Sequence, residues 1–444
     1  MKKRVFNAVA TGLFGAAFLM LTGCEKNSSE PSDPGIFSNN DGVRNKIVII
    51  SDLHLGAGPY AECKENLPYL AEFLKEIKNS DGVKELVIAG DLVDEWFIPA
   101  GIEAYDGQTQ IDFARRLADS NKIVFDELNE IMANTDILVT YVPGNHDLAI
   151  EEQSIESILP GINQARDEGL LGLGTYYPKG HPNIAIEHSH RYNFFCAPDM
   201  ISNQDVAPGT IMPPGYFFTR IAAQSVVEGN FGKHKDTLSI DLSLVKTTEQ
   251  QLMLEYWMIW AWTVGTFTLN EELDYTFIKT NQNFFTGNYA VNDLVPVQKD
   301  NGDFEVNLYK EICDEANWET RQTNNNVPVH LPLLDAIKYS NKAGQTDKMA
   351  QVEYFDNPES DVRIVVFGHN HRDTLITTQN HNGESAIYAN SGTWIDQTSV
   401  QKKTANFVII TPQDDSDTST ETLVEVYNYI NGKLTKEQSG SVRL

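Results

Sequence analysis

The sequence predicts an α/β fold in which a parallel β-sheet packs against helices, and three observations predict it. Short apolar, β-branched runs alternate with stretches of helical spacing, the pattern of strand–helix–strand units. The runs contain few polar positions, as expected of strands buried on both faces. Directly after five of them come Asp52-Leu53-His54, Gly90-Asp91-Leu92-Val93-Asp94, Gly144-Asn145-His146-Asp147, His188 and Gly368-His369-Asn370-His371. Side chains that follow buried strands gather along one sheet edge, where open α/β folds bind their ligands.

Residues 46–51 read as the first core strand. Residues 63–78 are helical, with Leu67, Leu70, Phe73, Leu74 and Ile77 on one stripe. A strand over 85–89 precedes a long amphipathic helix over 111–132, open to one interruption. Strands over 136–142 and 183–187 follow. The rhythm then breaks: residues 192–360 hold Pro and Gly clusters such as Pro213-Pro214-Gly215, polar loops and one strongly apolar helix. It resumes with strands over 362–367, 374–378, 386–389, 407–411 and 423–430, a tail that reads as antiparallel β. The acidic stretch 412–418 reads as a solvated hairpin tip, with a calcium site as the alternative.

Composition narrows the function classes. Acids outnumber bases 62 to 34, for a formal net charge of -28. Phosphate backbones are bound by dense Lys and Arg, so no nucleic-acid partner is expected. An anionic surface also repels anionic lipid. Membrane attachment would have to come from the N-terminus, where Lys2, Lys3 and Arg4 precede an apolar stretch and then Leu21-Thr22-Gly23-Cys24. This reads as a secretory signal over 1–23. Its ending resembles the bacterial lipoprotein box, which implies cleavage before Cys24 and lipidation of that Cys. An exported chain, lipid-anchored to the outer membrane or cell surface, is therefore expected. Residues 24–43 read as a flexible polar tether. Cys63, Cys196 and Cys313 remain, an odd number that leaves at least one thiol free.

The five blocks suit metal ions. Asp52 and His54 lie two apart and can converge on one ion at a strand end. Asp91 follows a glycine, which lets the backbone turn sharply, and the two oxygens of an Asp can serve separate cations. Asn145 offers a carbonyl oxygen, His188 an imidazole, and His369 and His371 repeat the two-apart spacing. Mixed His, Asp and Asn ligation suits manganese, iron or zinc better than magnesium or calcium. Each piece alone reads as a turn, a cap or a satisfied histidine. Their conjunction, with four of the ten histidines on the ligand set and His146 beside it, favours a metal site.

As an ordered set these blocks resemble the calcineurin-like metallophosphoesterases, over about residues 46–191 and 361–397. The resemblance implies an α/β sandwich of two mixed sheets flanked by helices, holding two divalent metal ions about 3.5–4 Å apart. One would take Asp52, His54, Asp91 and His371, the other Asp91, Asn145, His188 and His369. Asn390-Ser391-Gly392-Thr393-Trp394 resembles the family's closing turn. His188 is followed by Ser189-His190 where relatives carry Gly and then His or Asp, so His190 stays a competing ligand. The implied chemistry is hydrolysis of a phosphate ester by a metal-bridging hydroxide, with His146 as proton donor and Asp94 as its partner. A helix N-cap is the other reading of Asp94. Glu95-Trp96 resembles the branch that cleaves a nucleotide-linked acylated sugar diphosphate at the cytoplasmic membrane face, but the likeness is short and its substrate does not transfer to an exported chain. The expected substrate is a phosphate ester, with nucleotide-linked and lipid-linked esters left open.

The resemblance divides the chain into core over 44–191, an inserted cap over 192–360, and core over 361–444. In the cap, residues 252–269 read as a buried helix, with an aromatic wall for an apolar substrate as the alternative. Arg191, Arg220 and His234 are candidates for a second phosphate, Arg191 foremost because it lies three residues after His188. A phosphate-binding lipoprotein without turnover is the second functional reading.

Overall fold

The computed structural model describes residues 34–39, 42–229, 238–340, 344–396, 404–414, 420–430 and 432–444. The signal segment, Cys24, much of the tether and His234 lie outside the described residues, as do residues 415–419 of the acidic tip. The chain forms two compact units. One, the sheet unit, comprises the described residues up to Asp94, then 110–189 and 347–444; the other, the insert unit, comprises 95–109 and 190–346. The insert expected over 192–360 thus ends earlier, and it recruits a second segment, 95–109, that no strand–helix rhythm marks.

In the sheet unit, β1 (Lys46–Ile50) leads to α1 (Leu67–Lys78), β2 (Val83–Ala89), α2 (Gln110–Ser120), α3 (Lys122–Asn134) and β3 (Leu138–Val142). Short α4 (Glu152–Glu156), β4 (Asn163–Gln164) and β5 (Thr175–Tyr176) precede β6 (Ile184–Glu187). The long helix breaks at Asn121, whose amide donates back to the Leu117 carbonyl and across to Gly56. Such local side-chain bonds compete with the helical ladder.

The insert unit contains α5 (Pro214–Glu228), α6 (Thr248–Thr266), the hairpin β7 (Ile278–Gln282) and β8 (Phe285–Tyr289), the pair β9 (Val297–Gln298) and β10 (Phe304–Glu305), then α7 (Glu315–Asn324) and α8 (Leu333–Tyr339). Pro213-Pro214-Gly215, expected in a loop, opens α5, because proline suits the first helical position. A capping box between Thr247 and Gln250 starts α6. This is the apolar helix of the sequence: Tyr256, Ile259 and Trp260 are buried, and Tyr256 stacks on Phe195. It forms the insert's own core, and no helix among the described residues is long and apolar enough to cross a membrane.

The chain returns through α9 (Asp347–Ala350) to β11 (Ile364–Phe367), β12 (Asp373–Gln379), β13 (Ser385–Ser391), β14 (Asn406–Thr411), β15 (Thr422–Ile430) and β16 (Lys433–Val442). The strands form a seven-stranded sheet, β16-β15-β14-β1-β2-β3-β4, and a five-stranded sheet, β12-β13-β11-β6-β5. Both mix parallel and antiparallel pairs. Ile47, Ile49, Val87, Val142, Val408 and Val424 of the first sheet pack with Ile184, Ile186, Ile364, Val366 and Ile387 of the second. This is a sandwich, with α1 and α3 on the outer side of the larger sheet. The sequence suggested a single parallel sheet; the two-sheet arrangement is the one the family resemblance implied.

Two details depart from expectation. Phe37, placed in the tether, is buried against Phe73 and Phe407, so the ordered core begins before residue 44. The unexpected edge strand β16 is polar and pairs with β15 around a bulge at Val426/Tyr427. Its lysines suit an edge that must resist further pairing. Cys63, Cys196 and Cys313 are all buried.

Candidate metal centre

Strand register gathers the candidate ligands at the C-terminal ends of both sheets. In the larger sheet, β1 and β2 run parallel with Ile50 opposite Ile88, and β2 and β3 with Ala89 opposite Val142. The three blocks that follow these strands therefore emerge side by side. In the smaller sheet Glu187 lies opposite Phe367, so His188 and His369 leave adjacent parallel strands. Their ring centroids are 5.2 Å apart.

The backbone at these strand ends is unusual. Asp52, His54, Asp91, His369 and His371 all have positive φ, between 44° and 73°, a region that costs L-residues roughly 1–2 kcal/mol each. Strain of this kind clusters where side chains must be aimed. The glycines give room: a Cβ on Gly90 would lie 2.3 Å from His188 Nδ1, and one on Gly144 would lie 2.2 Å from Asp91 Oδ1.

The ligand atoms converge in two groups. In the first, His54 Nε2 and His371 Nε2 lie 3.2 Å apart. His371 Nε2 is 3.1 Å from Asp52 Oδ1, and His54 Nε2 is 3.5 Å from Asp91 Oδ2. In the second, His188 Nε2 is 3.1 Å from both Asp91 Oδ2 and Asn145 Oδ1, and His369 Nδ1 is 2.8 Å from Asn145 Oδ1. Ligands about 2.1 Å from one cation sit roughly 3.0–3.5 Å from each other, so both groups fit a divalent ion. The outer ring nitrogens support the fit: His188 Nδ1 donates to the Ala89 carbonyl at 2.8 Å, which turns its Nε2 inward.

Asp91 belongs to both groups through one atom. Its Oδ2 faces His54 and His188, whereas its Oδ1 accepts the His146 backbone N–H at 2.8 Å. In this arrangement Oδ2 is the Asp91 oxygen that faces candidate ligands of both groups, while Oδ1 also accepts a backbone hydrogen bond.

Burial and crowded carboxylates set the charge states. Burial alone would raise the Asp91 carboxyl, but His188, His146 and His54 hold it well below the usual range. Burial would lower His188, yet Asp91 and Asp52 push it up to about 9. Burial and the neighbouring His188 lower His369 to about 3. His146 donates through Nδ1 to Asp94 Oδ2 at 2.9 Å. Against the effect of burial, Asp94 and Asp91 push it up to about 10. No helix starts at Asp94, so the N-cap reading of that residue does not apply.

The remaining candidates fall as follows. His188 lies beside Asp91 and Asn145, and His190 belongs to the insert unit. Arg191 is buried in that unit and donates to the Asn325 carbonyl at 3.3 Å. Arg220 is corrected from phosphate binder to structural residue. It is fully buried, and its guanidinium is occupied by Tyr216 Oη and by the carbonyls of Ile98, Pro99, Ile102 and Lys279.

Several residues gain roles that the sequence had not suggested. Asp147 accepts from the backbone N–H groups of Gly144 at 2.5 Å and Leu92 at 2.9 Å, tying two ligand-bearing loops together. Its place inside a motif was the only signal. Glu62 lies with Oε2 3.7 Å from His54 Nδ1, and burial and Asp94 push its carboxyl up to about 8. It sits in an irregular loop that no periodicity marks. Asp347 accepts hydrogen bonds from Asn370, between the two distal histidines, and from Tyr388. The closing turn binds the first block: Thr393 Oγ1 and the Trp394 N–H both donate to the Asp52 carbonyl.

Residues 45–210 match the family model for calcineurin-like phosphoesterases. The match covers the blocks from Asp52 to His188 and stops before His369 and His371, which join the cluster through β11. Among solved structures, the chain is similar to a Vps29 single mutant from Entamoeba histolytica, at 11% identity over 90% of this chain and 99% of that one. The TM-score of 0.28 is too low to carry an argument. No curated protein sequence matches the chain.

Proposed function

We propose that this chain, which matches the calcineurin-like phosphoesterases over residues 45–210, is a phosphoesterase that uses two divalent metal ions. The observation that carries the reading is the convergence of seven candidate ligands from two sheets in two groups that share Asp91, with His146 and Asp94 beside them. Manganese, iron or zinc suits the donor set. Such ions, when bound, supply an activated water and neutralise phosphoryl oxygens.

The chain's own residues do the rest. Asp91 Oδ2 holds the two groups at one point, and Asn145 adds a neutral oxygen that limits the negative charge facing an anionic substrate. With Nδ1 committed to Asp94, His146 has Nε2 to present a proton to the leaving oxygen. The Asp94 charge keeps that imidazole protonated near neutral pH. The insert unit enters the chain two residues after ligand His188, and we assign it the choice of substrate, including nucleotide-linked or lipid-linked esters, with Arg191 as the first phosphate contact to test.

The test is metal content per chain of the purified full-length protein, with hydrolysis of p-nitrophenyl phosphate and bis-p-nitrophenyl phosphate in added manganese. Two metals with turnover of either ester are expected. Two metals with no turnover of any phosphate ester would assign a binding role, and no metal would overturn the reading. We further propose export and lipid anchoring through Cys24, on the strength of the N-terminal pattern. Cys24→Ser should release the protein from the membrane fraction of an expressing bacterium; unchanged partitioning would exclude the anchor.

A further inference from the structure

We propose that Asp94 is a positioning residue for the metal ligand His54 as well as the partner of His146, one carboxylate oxygen holding both imidazoles. This rests on the metal-dependent reading above. Asp94 Oδ2 lies 2.9 Å from His54 Nδ1 and 2.9 Å from His146 Nδ1. The two rings meet edge to face, their centroids 4.4 Å apart at 85°, so each points an N–H at the same oxygen without crowding the other.

The backbone builds this contact. His54 N–H donates to the Asp91 carbonyl, Leu55 N–H to Leu92, and Asp94 N–H back to Leu55, around a parallel bridge between Leu55 and Val93. The segments after β1 and β2 are thereby joined beyond their strands, which brings Asp94 beside His54. Asp94 is buried and has little freedom to leave.

The consequence is tautomeric. A neutral imidazole that donates from Nδ1 keeps its lone pair on Nε2, and His54 Nε2 is the atom facing His371 and Asp91. Outer hydrogen bonds of this kind fix ring orientation and raise ligand basicity, and their loss typically weakens metal binding about 10–100-fold. Glu62 Oε2, at 3.7 Å from the same Nδ1, is too far to substitute. Removal of Asp94 should therefore weaken the ion on the His54 side, an effect separate from proton donation by His146.

Manganese titration of metal-free, full-length protein by calorimetry tests this, with binding and not turnover as the readout. His146→Ala should leave both affinities within about threefold of wild type. Asp94→Ala should weaken one of the two sites about 10–100-fold. In a His54→Ala background, Asp94→Ala should add less than about threefold, since residues acting through one another are non-additive. If Asp94→Ala fails to fold by circular dichroism, Asp94→Asn keeps the side-chain volume and should show a smaller loss at the same site. Wild-type affinity at both sites in the folded variant overturns the proposal, as does a loss that persists in the His54→Ala background. A third manganese per chain, held by His54, Asp94 and His146, also overturns it. Wild-type protein that takes up no metal overturns the phosphoesterase reading itself, so the two failures are distinguishable.

Discussion

His146 and His188 lie within one buried cluster, yet under the proposed function their protons have opposite uses. His146 is pushed up to about 10 by Asp94 and Asp91 against the effect of burial, so below that pH it carries the proton a leaving group needs. His146→Ala should reduce turnover about 10²–10⁴-fold while metal content, read by elemental analysis, stays at the wild-type level. Asp94→Asn removes a charge that raises the imidazole, so the alkaline limb of the pH–rate profile at saturating metal should move to lower pH. His188 is pushed up to about 9 by Asp91 and Asp52, and there the proton is an obstacle. A cation must displace it, so apparent metal affinity should fall up to tenfold per unit as pH drops below about 9. Calorimetry in buffers of different ionisation enthalpy should record a released proton on metal uptake. An uptake independent of buffer would show that His188 binds neutral.

At the scale of elements, the gathering of the candidate ligands was legible because each follows an apolar run, and the register of parallel strands turns that position into proximity. Asp52, Asp91, Asn145, His188 and His369 needed no side-chain detail to be found. What strand ends cannot reveal is the support behind them. The pairing of Asp147 with Gly144 and Leu92, and of Asp347 with Asn370, depends on loops whose conformation no periodicity encodes. The same holds for Asp91, whose Oδ1 accepts the His146 backbone N–H while Oδ2 faces His54 and His188. The polar strand β16 lacked the apolar alternation that marks a strand, and α5 was masked by its opening prolines. Ser189, with φ of 78°, occupies a conformation that glycine adopts without cost. The glycines of the turns are tested directly: Gly144→Ala would drive a methyl into Asp91 Oδ1 and the Asp91 backbone N. It should cost at least about 2 kcal/mol in urea unfolding, in the range of overpacking and strained-backbone substitutions, and lower metal content with it.

For the whole molecule, the cluster concentrates buried acids in a chain already at net charge -28. Cations relieve that repulsion only in the folded state, where the ligands are assembled. At 100-fold excess over its dissociation constant each ion adds about 2.7 kcal/mol. Chelation should therefore lower the melting temperature by about 5–10 °C, and readdition of manganese should restore it. A melting temperature indifferent to both would mean that the assembled ligands do not bind. Division into units was only partly legible, since residues 95–109 lie within the first half of the chain yet group with 190–346.

The pairing of β6 with β11 has a consequence for how such a protein can change over generations. These strands are hydrogen-bonded neighbours, yet the chain travels from one to the other through most of the insert. A passage that leaves and re-enters between adjacent strands can grow or shrink at small entropic cost, about 0.6 kcal/mol per doubling in length for a flexible loop. The proposed metal centre and the segment most open to change in length are thus separable along the chain. A lineage could exchange the insert for another while His188 and His369 stay side by side.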